Sequence, residues 1–359
     1  MRILALTRYE RLGSSSRVRF YQYLPYIKSH GIEIVNASFF TDKYIHDLYN
    51  GRRTSVREIL YAYLKRLHLL TGRKSFDLLW VEKEFLPWFP FSIVSILNSA
   101  RVPYVVDYDD AVFHRYDMHP NPLIRTFLGH KIDQVMRNAS MVIAGNDYLA
   151  ERARKSGALH IEILPSVVDV SKYAVKRPEA DQVFKIGWIG SPVTANYLNI
   201  VRNAIVKLQQ EFAVQLILVG AGNTLPFPEI PTKLLQWSEE IEPTVNQYFD
   251  VGIMPLVDGP FERGKCGYKL IQYMAGGIPV VASPVGVNQE IVEININGYL
   301  ANSTEEWLTA LRTLRDDPQK RETMGMAGRQ KAERLYNLQV TAPRLIDLLS
   351  SVAGQKTNA

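Results

Sequence analysis

The chain has 359 residues, 47% hydrophobic and 22% charged, with a formal net charge of +6; this length predicts two domains of about 170 residues each. The single cysteine excludes a disulfide framework, and no apolar run approaches the ~20 residues of a membrane-spanning helix. That cysteine and the seven histidines lack the spacing of metal ligands, so we expect no metal site. The basic net charge is compatible with nucleic acid, anionic lipid or phosphorylated small molecules as partners and does not choose among them.

Strand and helix patterns alternate along the first half of the chain. Short runs of β-branched and other apolar residues predict strands at 2–7, 32–38, 77–81, 103–107 and 141–144. Helical periodicity follows the first two of these strands and predicts one helix at 17–30 and a basic helix at 54–70. Repeated strand–helix units indicate a parallel, doubly wound sheet.

A second set of strand–helix units begins after a stretch without periodicity at 165–182, which we interpret as containing the linker. Its strands are predicted at 184–189, 214–219, 250–255 and 278–282, and an amphipathic tail follows at 338–352. We therefore predict an N-terminal Rossmann-like domain at 1–176, a C-terminal Rossmann-like domain at 183–337 and a terminal helix at 338–359.

The most informative stretch is 265–286, with the sequence KCGYKLIQYMAGGIPVVASPVG. It predicts a helix from Tyr268 that ends at two glycines, and then a strand without polar alternation, which is typical of a parallel strand covered on both faces. The start of this helix offers free backbone N–H groups and a partial positive charge beside Arg263, Lys265 and Lys269. These features predict a binding site for a diphosphate.

The 265–286 stretch resembles the donor-site segment of family 4 retaining glycosyltransferases (glycosyl transferases group 1). The resemblance extends over most of the C-terminal half, through motifs at 184–191, 249–256, 289–292 and 297–300. It implies the α/β GT-B fold, in which two Rossmann-like, doubly wound parallel-sheet domains face a cleft. It further implies that the first domain binds the acceptor, that the second binds a nucleotide-sugar, and that the terminal helix crosses back to the first. Gly264 and Gln272 stand where family members usually carry two Glu residues.

The resemblance also implies which residues bind the donor. We expect Gln272 to hydrogen-bond the ribose through its amide, without the stronger bond that a carboxylate forms. Many relatives supply an Arg and a Lys from the loop at 190–196, which has neither here. We therefore expect Arg263, Lys265 and Lys269 to stabilise the charge that develops on the leaving diphosphate, with solvated surface charge as the alternative. The expected donor-binding residues are Gly13, Ser14, Gly190, Ser191, Thr194, Gly267, Tyr268, Gln272 and Glu290.

Two polar segments of the N-terminal half complete the candidate site. The Gly-Ser-rich loop at 8–17 lacks the spacing of a dinucleotide fingerprint or a P-loop. The resemblance places this loop near the donor. The alternative is that it only connects a strand to a helix and caps that helix. Asp107, Asp109 and Asp110 form a cluster of carboxylates that repel one another. Asp109 stands where many family members carry a His that contacts the donor sugar. We expect Asp109 or Asp110 to contact sugar or acceptor hydroxyls, and both join the three cations as candidate catalytic residues; solvated acids beside an N-cap are the alternative.

The predicted basic helix at 54–70 has two interpretations. Its apolar residues share one face: Val56, Ile59, Leu60, Tyr63, Leu64 and Leu67. Its basic residues lie on or beside the other face, or just beyond the helix ends: Arg57, Lys65, Arg66 and His68, with Arg52, Arg53, Arg73 and Lys74. A basic amphipathic helix can bind an anionic membrane surface. The alternative is a helix that packs on the core and has a charged outer face.

The resemblance implies a cytoplasmic glycosyltransferase of class EC 2.4, peripheral on the inner face of the cell membrane, which uses a nucleotide-sugar as substrate and needs no cofactor. We expect transfer with retention and without metal to a glycan, lipid-linked or small-molecule acceptor, in bacterial surface polysaccharide or glycoconjugate synthesis. Nucleic acid is not an expected partner, because no recognition module is present. Because the family's Glu pair is missing, a GT-B nucleotide-sugar 2-epimerase and a catalytically inactive nucleotide-sugar-binding subunit stay open as alternatives.

Overall fold

The computed structural model describes residues 1–49, 51–52, 55–71, 75–90, 102–175, 183–223 and 227–354. The chain divides into two compact units. The first unit comprises Met1–Ser166, Arg263–Cys266 and Thr341–Ala359, and the second comprises Val167–Glu262 and Gly267–Val340. The charged, proline-containing part of the predicted linker, 176–182, lies outside the described residues. No helix in the described ranges is both long enough and apolar enough to span a membrane.

The first unit contains a six-stranded sheet in which every neighbouring pair of strands is parallel. Its strands are β1 (Arg2–Thr7), β2 (Glu33–Ser38), β3 (Leu78–Glu82), β4 (Tyr104–Tyr108), β5 (Met141–Ala144) and β6 (Ile161–Ile163), in the order β2-β1-β3-β4-β5-β6. Its helices are Ser14–Arg19, Leu24–Ser29, Asp42–Tyr49, Val56–Thr71, His114–Asp117, Pro122–Leu128, Lys131–Arg137 and Asp147–Ser156, with a 3-10 turn at Tyr21–Tyr23.

The second unit contains another parallel six-stranded sheet. Its strands are β7 (Phe184–Ile189), β8 (Val214–Val219), β9 (Thr232–Leu235), β10 (Val251–Met254), β11 (Val280–Ala282) and β12 (Gly298–Leu300), in the order β12-β11-β10-β7-β8-β9. Its longer helices are Asn199–Glu211, Tyr268–Ala275, Thr304–Asp316 and Pro318–Leu335. Shorter helical segments are Val170–Lys172, Thr194–Leu198, Val245–Tyr248, Pro260–Arg263 and Asn288–Ile291. The final helix, Leu338–Gly354, belongs to the first unit from Thr341 onward.

The predicted doubly wound sheets are confirmed, and the strand predictions differ from the structure mainly at sheet edges. Three strands were missed, β6, β9 and β12, and each is an edge strand of three or four residues. An edge strand has a neighbour on one side only, so it is short and lacks the long apolar run that marks a central strand. The strand predicted at 278–282 begins at Val280, since Pro279 has no N–H for the ladder.

The helix predicted at 17–30 is wrong as one continuous element. The chain forms a helix at Ser14–Arg19, a 3-10 turn and a second helix at Leu24–Ser29. Pro25 lies in the first turn of that second helix, where its missing N–H needs no partner. The break therefore allows a proline that a continuous helix would not tolerate.

The buried face predicted for the basic helix is also wrong. Helix Val56–Thr71 buries Ala62, Arg66 and Leu70, whereas Leu60 and Leu64 are more than half exposed. The Arg66 guanidinium donates hydrogen bonds to the carbonyls of Thr7 (2.7 Å) and Ala37 (3.0 Å), in strands β1 and β2. The buried face of this helix is therefore the one from which Arg66 can reach these carbonyls, and not the one that carries most of the apolar residues. Of the basic residues predicted beyond the helix ends, Arg53, Arg73 and Lys74 lie outside the described residues.

Candidate functional site

In both sheets the strand order reverses at one position, the topological switch point. Open α/β sheets bind ligands at this position, outside the carboxyl ends of the strands. In the second unit this position lies between β7 and β10. Near the ends of these strands, the Tyr273 hydroxyl accepts a hydrogen bond from the Ile189 N–H (2.9 Å) and donates one to the Ile253 carbonyl (3.3 Å). The ring requires Gly252, because a Cβ atom at that position would lie 2.3 Å from it. The Tyr273 hydroxyl therefore connects β7 and β10, the two strands between which the strand order reverses.

The Tyr268–Ala275 helix, which carries Tyr273, starts at a glycine that no other residue could replace without strain. Gly267 has a φ of +65°, and a Cβ atom there would lie 2.2 Å from the Ile291 side chain. Lys269 lies in the first helical turn, and its ammonium is 4.6 Å from the ring centroid of Trp188 on β7. The helix start thus carries a cation near the end of β7.

The loop after β7 packs against the same tryptophan. A Cβ atom at Gly190 would lie 2.2 Å from the Trp188 ring, so the glycine lets the loop pass close to it. The loop is then closed by a hydrogen bond from the Ser191 N–H to the Thr194 hydroxyl oxygen (3.0 Å). Trp188 therefore links two segments that the sequence predicted separately, the 190–194 loop and Lys269.

The other two predicted donor residues of this unit lie in different environments. The Gln272 side chain is buried, and its Nε2 atom has no hydrogen-bond partner within the described residues. A buried amide donor without a partner is costly, and such a group is expected where a ligand or a water completes the contacts. Glu290 is exposed on the short helix Asn288–Ile291.

Sequence reasoning missed a buried carboxylate beside Tyr268. Glu242 accepts hydrogen bonds from the Tyr268 hydroxyl (3.0 Å) and from the Trp237 indole N–H (3.0 Å), and it is 6% exposed. These two contacts come from the segment after β9 and from the Tyr268 helix, which are more than 25 residues apart in sequence. No local pattern marks such a residue, although two aromatic side chains with polar tips each need a partner when buried.

In the first unit the strand order reverses between β1 and β3. The loop after β1 ends at Gly13, which is the N-cap of helix Ser14–Arg19, while Ser14 itself is exposed. Ser15 accepts a hydrogen bond from the Lys83 ammonium (2.9 Å), and Ser16 donates one to the Glu82 carboxylate (2.6 Å). The predicted Gly-Ser loop is therefore tied to the end of β3 through its serine hydroxyls.

Lys83 connects the ends of β3 and β4. Its ammonium lies 2.8 Å from Asp109 Oδ1 and 3.7 Å from Asp110 Oδ2, and Lys265 Nζ lies 3.9 Å from Asp110 Oδ1. Burial alone would raise the pKa of Asp109, but the charges of Lys83 and Arg19 and a hydrogen bond with Ser15 lower it below its ordinary value. Asp109 is consequently held as the carboxylate.

Two further buried ion pairs flank this cluster. The Arg19 guanidinium donates hydrogen bonds to both Asp107 carboxylate oxygens, at 2.7 and 3.2 Å, and is almost fully buried. Glu84 accepts hydrogen bonds from Arg8 (2.9 Å) and Lys131 (2.6 Å). Burial would raise the pKa of Glu84, yet these two cations lower it below its usual range. Charged residues of opposite sign therefore alternate across the carboxyl ends of β1, β3 and β4.

The second sheet, β12-β11-β10-β7-β8-β9, has the strand order of a Rossmann dinucleotide-binding fold. Residues 183–317, which include all of it, match the family described as Glycosyl transferases group 1. This stretch is therefore similar to group 1 glycosyl transferases. No curated protein matches the chain.

Solved structures extend the comparison to the whole chain. Sucrose-phosphate synthase from Thermosynechococcus elongatus is similar at 15% identity, with a TM-score of 0.74 over 99% of this chain and 100% of that chain. HepE from Anabaena in complex with UDP-glucose is similar at 18% identity, with a TM-score of 0.67 over 98% of this chain and 100% of that chain. A glycosyltransferase from Rickettsia africae matches at 12% identity and a TM-score of 0.70, over 98% of both chains. The fold of the chain is GT-B.

The structure explains one of the two departures from the group 1 donor motif. A Cβ atom at Gly264 would lie 2.5 Å from the Ala111 side chain and 2.8 Å from its backbone nitrogen. Asn146 also holds this segment by donating to the carbonyls of Gly264 (3.1 Å) and Lys265 (3.0 Å). The close approach leaves no space for the family's Glu. Lys265 is fixed near Asp110 as a result, while Arg263 is exposed.

The candidate residues therefore form two groups, one in each unit. Lys265, Asp109 and Asp110 lie together in the first unit, whereas Lys269 and the 190–194 loop lie together in the second. Lys83 and Glu242 were missed, because neither belongs to a motif and each is defined by long-range pairing. In the described part of the chain, no group of three or more His, Cys, Asp or Glu could hold a metal ion.

Proposed function

We propose that this protein is a glycosyltransferase that transfers a sugar from a uridine diphosphate sugar to an acceptor hydroxyl, with retention of anomeric configuration. The observation that carries the proposal is the start of the Tyr268–Ala275 helix, where the Lys269 ammonium lies over the Trp188 ring that Gly190 of the next loop also approaches. A helix start with an adjacent cation suits a diphosphate. The UDP and UDP-glucose bound in the HepE structures support a uridine nucleotide.

Each predicted residue has a chemical role in this proposal. Breaking the sugar–phosphate bond places negative charge on the leaving diphosphate, and Lys269 with the helix N–H groups stabilises that charge more in the transition state than in the ground state. The unpartnered Gln272 amide donates a hydrogen bond to a ribose hydroxyl. Asp109 and Asp110 supply the acidic groups for sugar or acceptor hydroxyls. None of these steps requires a metal or a cofactor.

We further propose that the acceptor is a glycan carried on a lipid, and that the first unit meets it at an anionic membrane surface on the cytoplasmic side. The supporting observation is helix Val56–Thr71, whose exposed surface combines Leu60 and Leu64 with Arg57 and Lys65. An apolar stripe beside basic residues is the pattern of a helix that lies in a lipid interface. Synthesis of a bacterial surface polysaccharide or glycoconjugate is the role that fits such an acceptor.

The proposal is tested by incubating the protein with UDP-sugars in the presence and absence of lipid-linked glycan acceptors. We expect UDP release and a glycosylated product only when donor and acceptor are both present. A change in the sugar without any acceptor would instead indicate the epimerase alternative. Tight donor binding without turnover across the acceptor panel would indicate the inactive nucleotide-sugar-binding subunit.

A further inference from the structure

The backbone at Lys83 has a conformation that a lysine rarely adopts. Lys83 has a φ of +63°, and the Glu84 N–H donates to the Glu82 carbonyl at 2.6 Å, which closes a tight three-residue turn at the end of β3. Turns of this hand are rare and strained, and a non-glycine residue in them is retained where its side chain is needed. The turn directs the Lys83 ammonium to the end of β4.

The contacts of Lys83 separate the two candidate aspartates. Asp109 lies 2.8 Å from the ammonium and has a side chain 13% exposed, whereas Asp110 lies 3.7 Å from it and is 27% exposed. The second cation near Asp110, Lys265, is also at a long distance, 3.9 Å. Both distances exceed that of a direct hydrogen bond, so the two cations lie near Asp110 while its oxygens stay accessible to a hydroxyl.

We propose that Lys83 is a positioning residue for glycosyl transfer, which fixes Asp109 inside the first unit and presents Asp110 as the carboxylate that accepts a hydrogen bond from a substrate hydroxyl. This inference rests on the proposed function, because a substrate hydroxyl is what Asp110 would bind. It narrows the sequence prediction, which left Asp109 and Asp110 as equal candidates. Asp109 becomes the inner partner that holds Lys83 in place.

The surroundings of Asp109 determine how the reaction should respond to pH. The charged or titratable groups around it come from the ends of β3 and β4, from helix Ser14–Arg19 and from the segment at Cys266. They are Lys83, Glu82, Arg19, Asp107, Asp110 and Cys266, with the Ser15 hydroxyl as a hydrogen-bond partner. Lys83 is the closest cation. Its removal leaves burial and like charges to raise the pKa of Asp109, so the carboxylate would be lost at a higher pH than in the wild type.

The experiment compares Lys83→Gly with the wild type, because glycine accepts the left-handed backbone while it removes the ammonium. We expect Lys83→Gly to lower kcat at least about tenfold with little change in donor KM, and to move the acid limb of the pH–rate profile upward by about one unit or more. Lys83→Arg should restore most of the rate and the wild-type profile. Lys131→Met is the matched control, since it removes another buried lysine paired with a carboxylate, and it should lower stability without moving the profile.

A second readout needs no turnover. A carbon-13 NMR titration of the Asp109 carboxyl should show a higher midpoint in Lys83→Gly than in the wild type. An unchanged NMR midpoint, or an unchanged pH–rate profile and kcat in a folded Lys83→Gly variant, overturns the inference. A wild type that shows no transfer, while the NMR midpoint still shifts in Lys83→Gly, refutes the proposed function instead and leaves the Lys83–Asp109 pairing standing.

Discussion

The two switch points of this protein differ in the types of residue that surround them. In the second unit, the end of β7 and the Tyr268 helix gather glycines, a tryptophan and one lysine, and the Gln272 amide lies buried in the same helix. In the first unit, the ends of β1, β3 and β4 hold buried charges of both signs, which include the ion pairs Arg19–Asp107 and Lys83–Asp109. Close backbone approach with free N–H groups suits a diphosphate, whereas a fixed array of charged groups suits hydroxyl recognition. Under the proposed function, the donor diphosphate and the acceptor hydroxyl would therefore meet chemically different sites.

The largest effect, on the free energy of unfolding, should come from breaking a buried ion pair in the charge array of the first unit, the set of paired charges at the ends of β1, β3 and β4. Arg19→Met leaves the buried Asp107 carboxylate without its partner, so we expect a loss of about 3–5 kcal/mol in the free energy of unfolding, measured by urea denaturation. Arg2→Met is the matched control, because its pair with Glu33 is exposed, and it should cost less than about 1 kcal/mol. Similar losses in both variants would mean that burial of the ion pairs is not what distinguishes this unit.

The next largest effect should come from the cation of the second unit. Lys269→Ala should lower turnover by about 1.5–4 kcal/mol of transition-state stabilisation with donor saturating, because the leaving diphosphate loses one charged partner. Lys233→Ala is a suitable control, since its ammonium also lies over an aromatic ring, 5.1 Å from the centroid of Tyr248. Turnover of Lys269→Ala at the level of Lys233→Ala would remove Lys269 from the mechanism.

These two switch points also differ in how far the sequence could predict them. The 265–286 stretch and the 190–194 loop are contiguous segments, and their glycines are set by local backbone demands, so their place at strand ends followed from the sequence. The partners of Lys83, Glu84 and Arg19 come from other strands and helices, and no local pattern encodes such pairing. Arg66 is the clearest failure: amphipathic periodicity placed it on the outer face of its helix, but backbone carbonyls of two strands bind it inside.

A smaller effect tests whether the Gln272 amide faces the ribose. Gln272→Glu should change the affinity for UDP by less than about tenfold, or ~1.4 kcal/mol. The carboxylate would accept stronger hydrogen bonds from ribose hydroxyls, while the nearby phosphates offset part of that gain by repulsion. Isothermal titration with UDP decides the point, and a larger loss would show that the amide makes another contact.

The smallest effect per residue concerns the membrane surface. Arg57→Glu and Lys65→Glu should each weaken sedimentation with anionic vesicles by about 1 kcal/mol, and added salt should weaken wild-type binding in the same direction. Arg66 is not a suitable target, because it is buried. Arg154→Glu and Lys155→Glu, at exposed positions of helix Asp147–Ser156, provide the control and should leave binding unchanged. A wild type that ignores anionic vesicles at low salt would make a soluble acceptor the better hypothesis.

Binding of a nucleoside diphosphate tests the role of the second unit most directly. In isothermal titration we expect UDP to bind the wild type, to bind Lys269→Ala more weakly, and to bind Lys83→Gly as tightly as the wild type. That pattern would place the diphosphate at the start of the Tyr268–Ala275 helix and keep the charge array of the first unit for the hydroxyl. No binding of any nucleoside diphosphate to the wild type, or equal binding by Lys269→Ala and the wild type, would contradict the donor site proposed here.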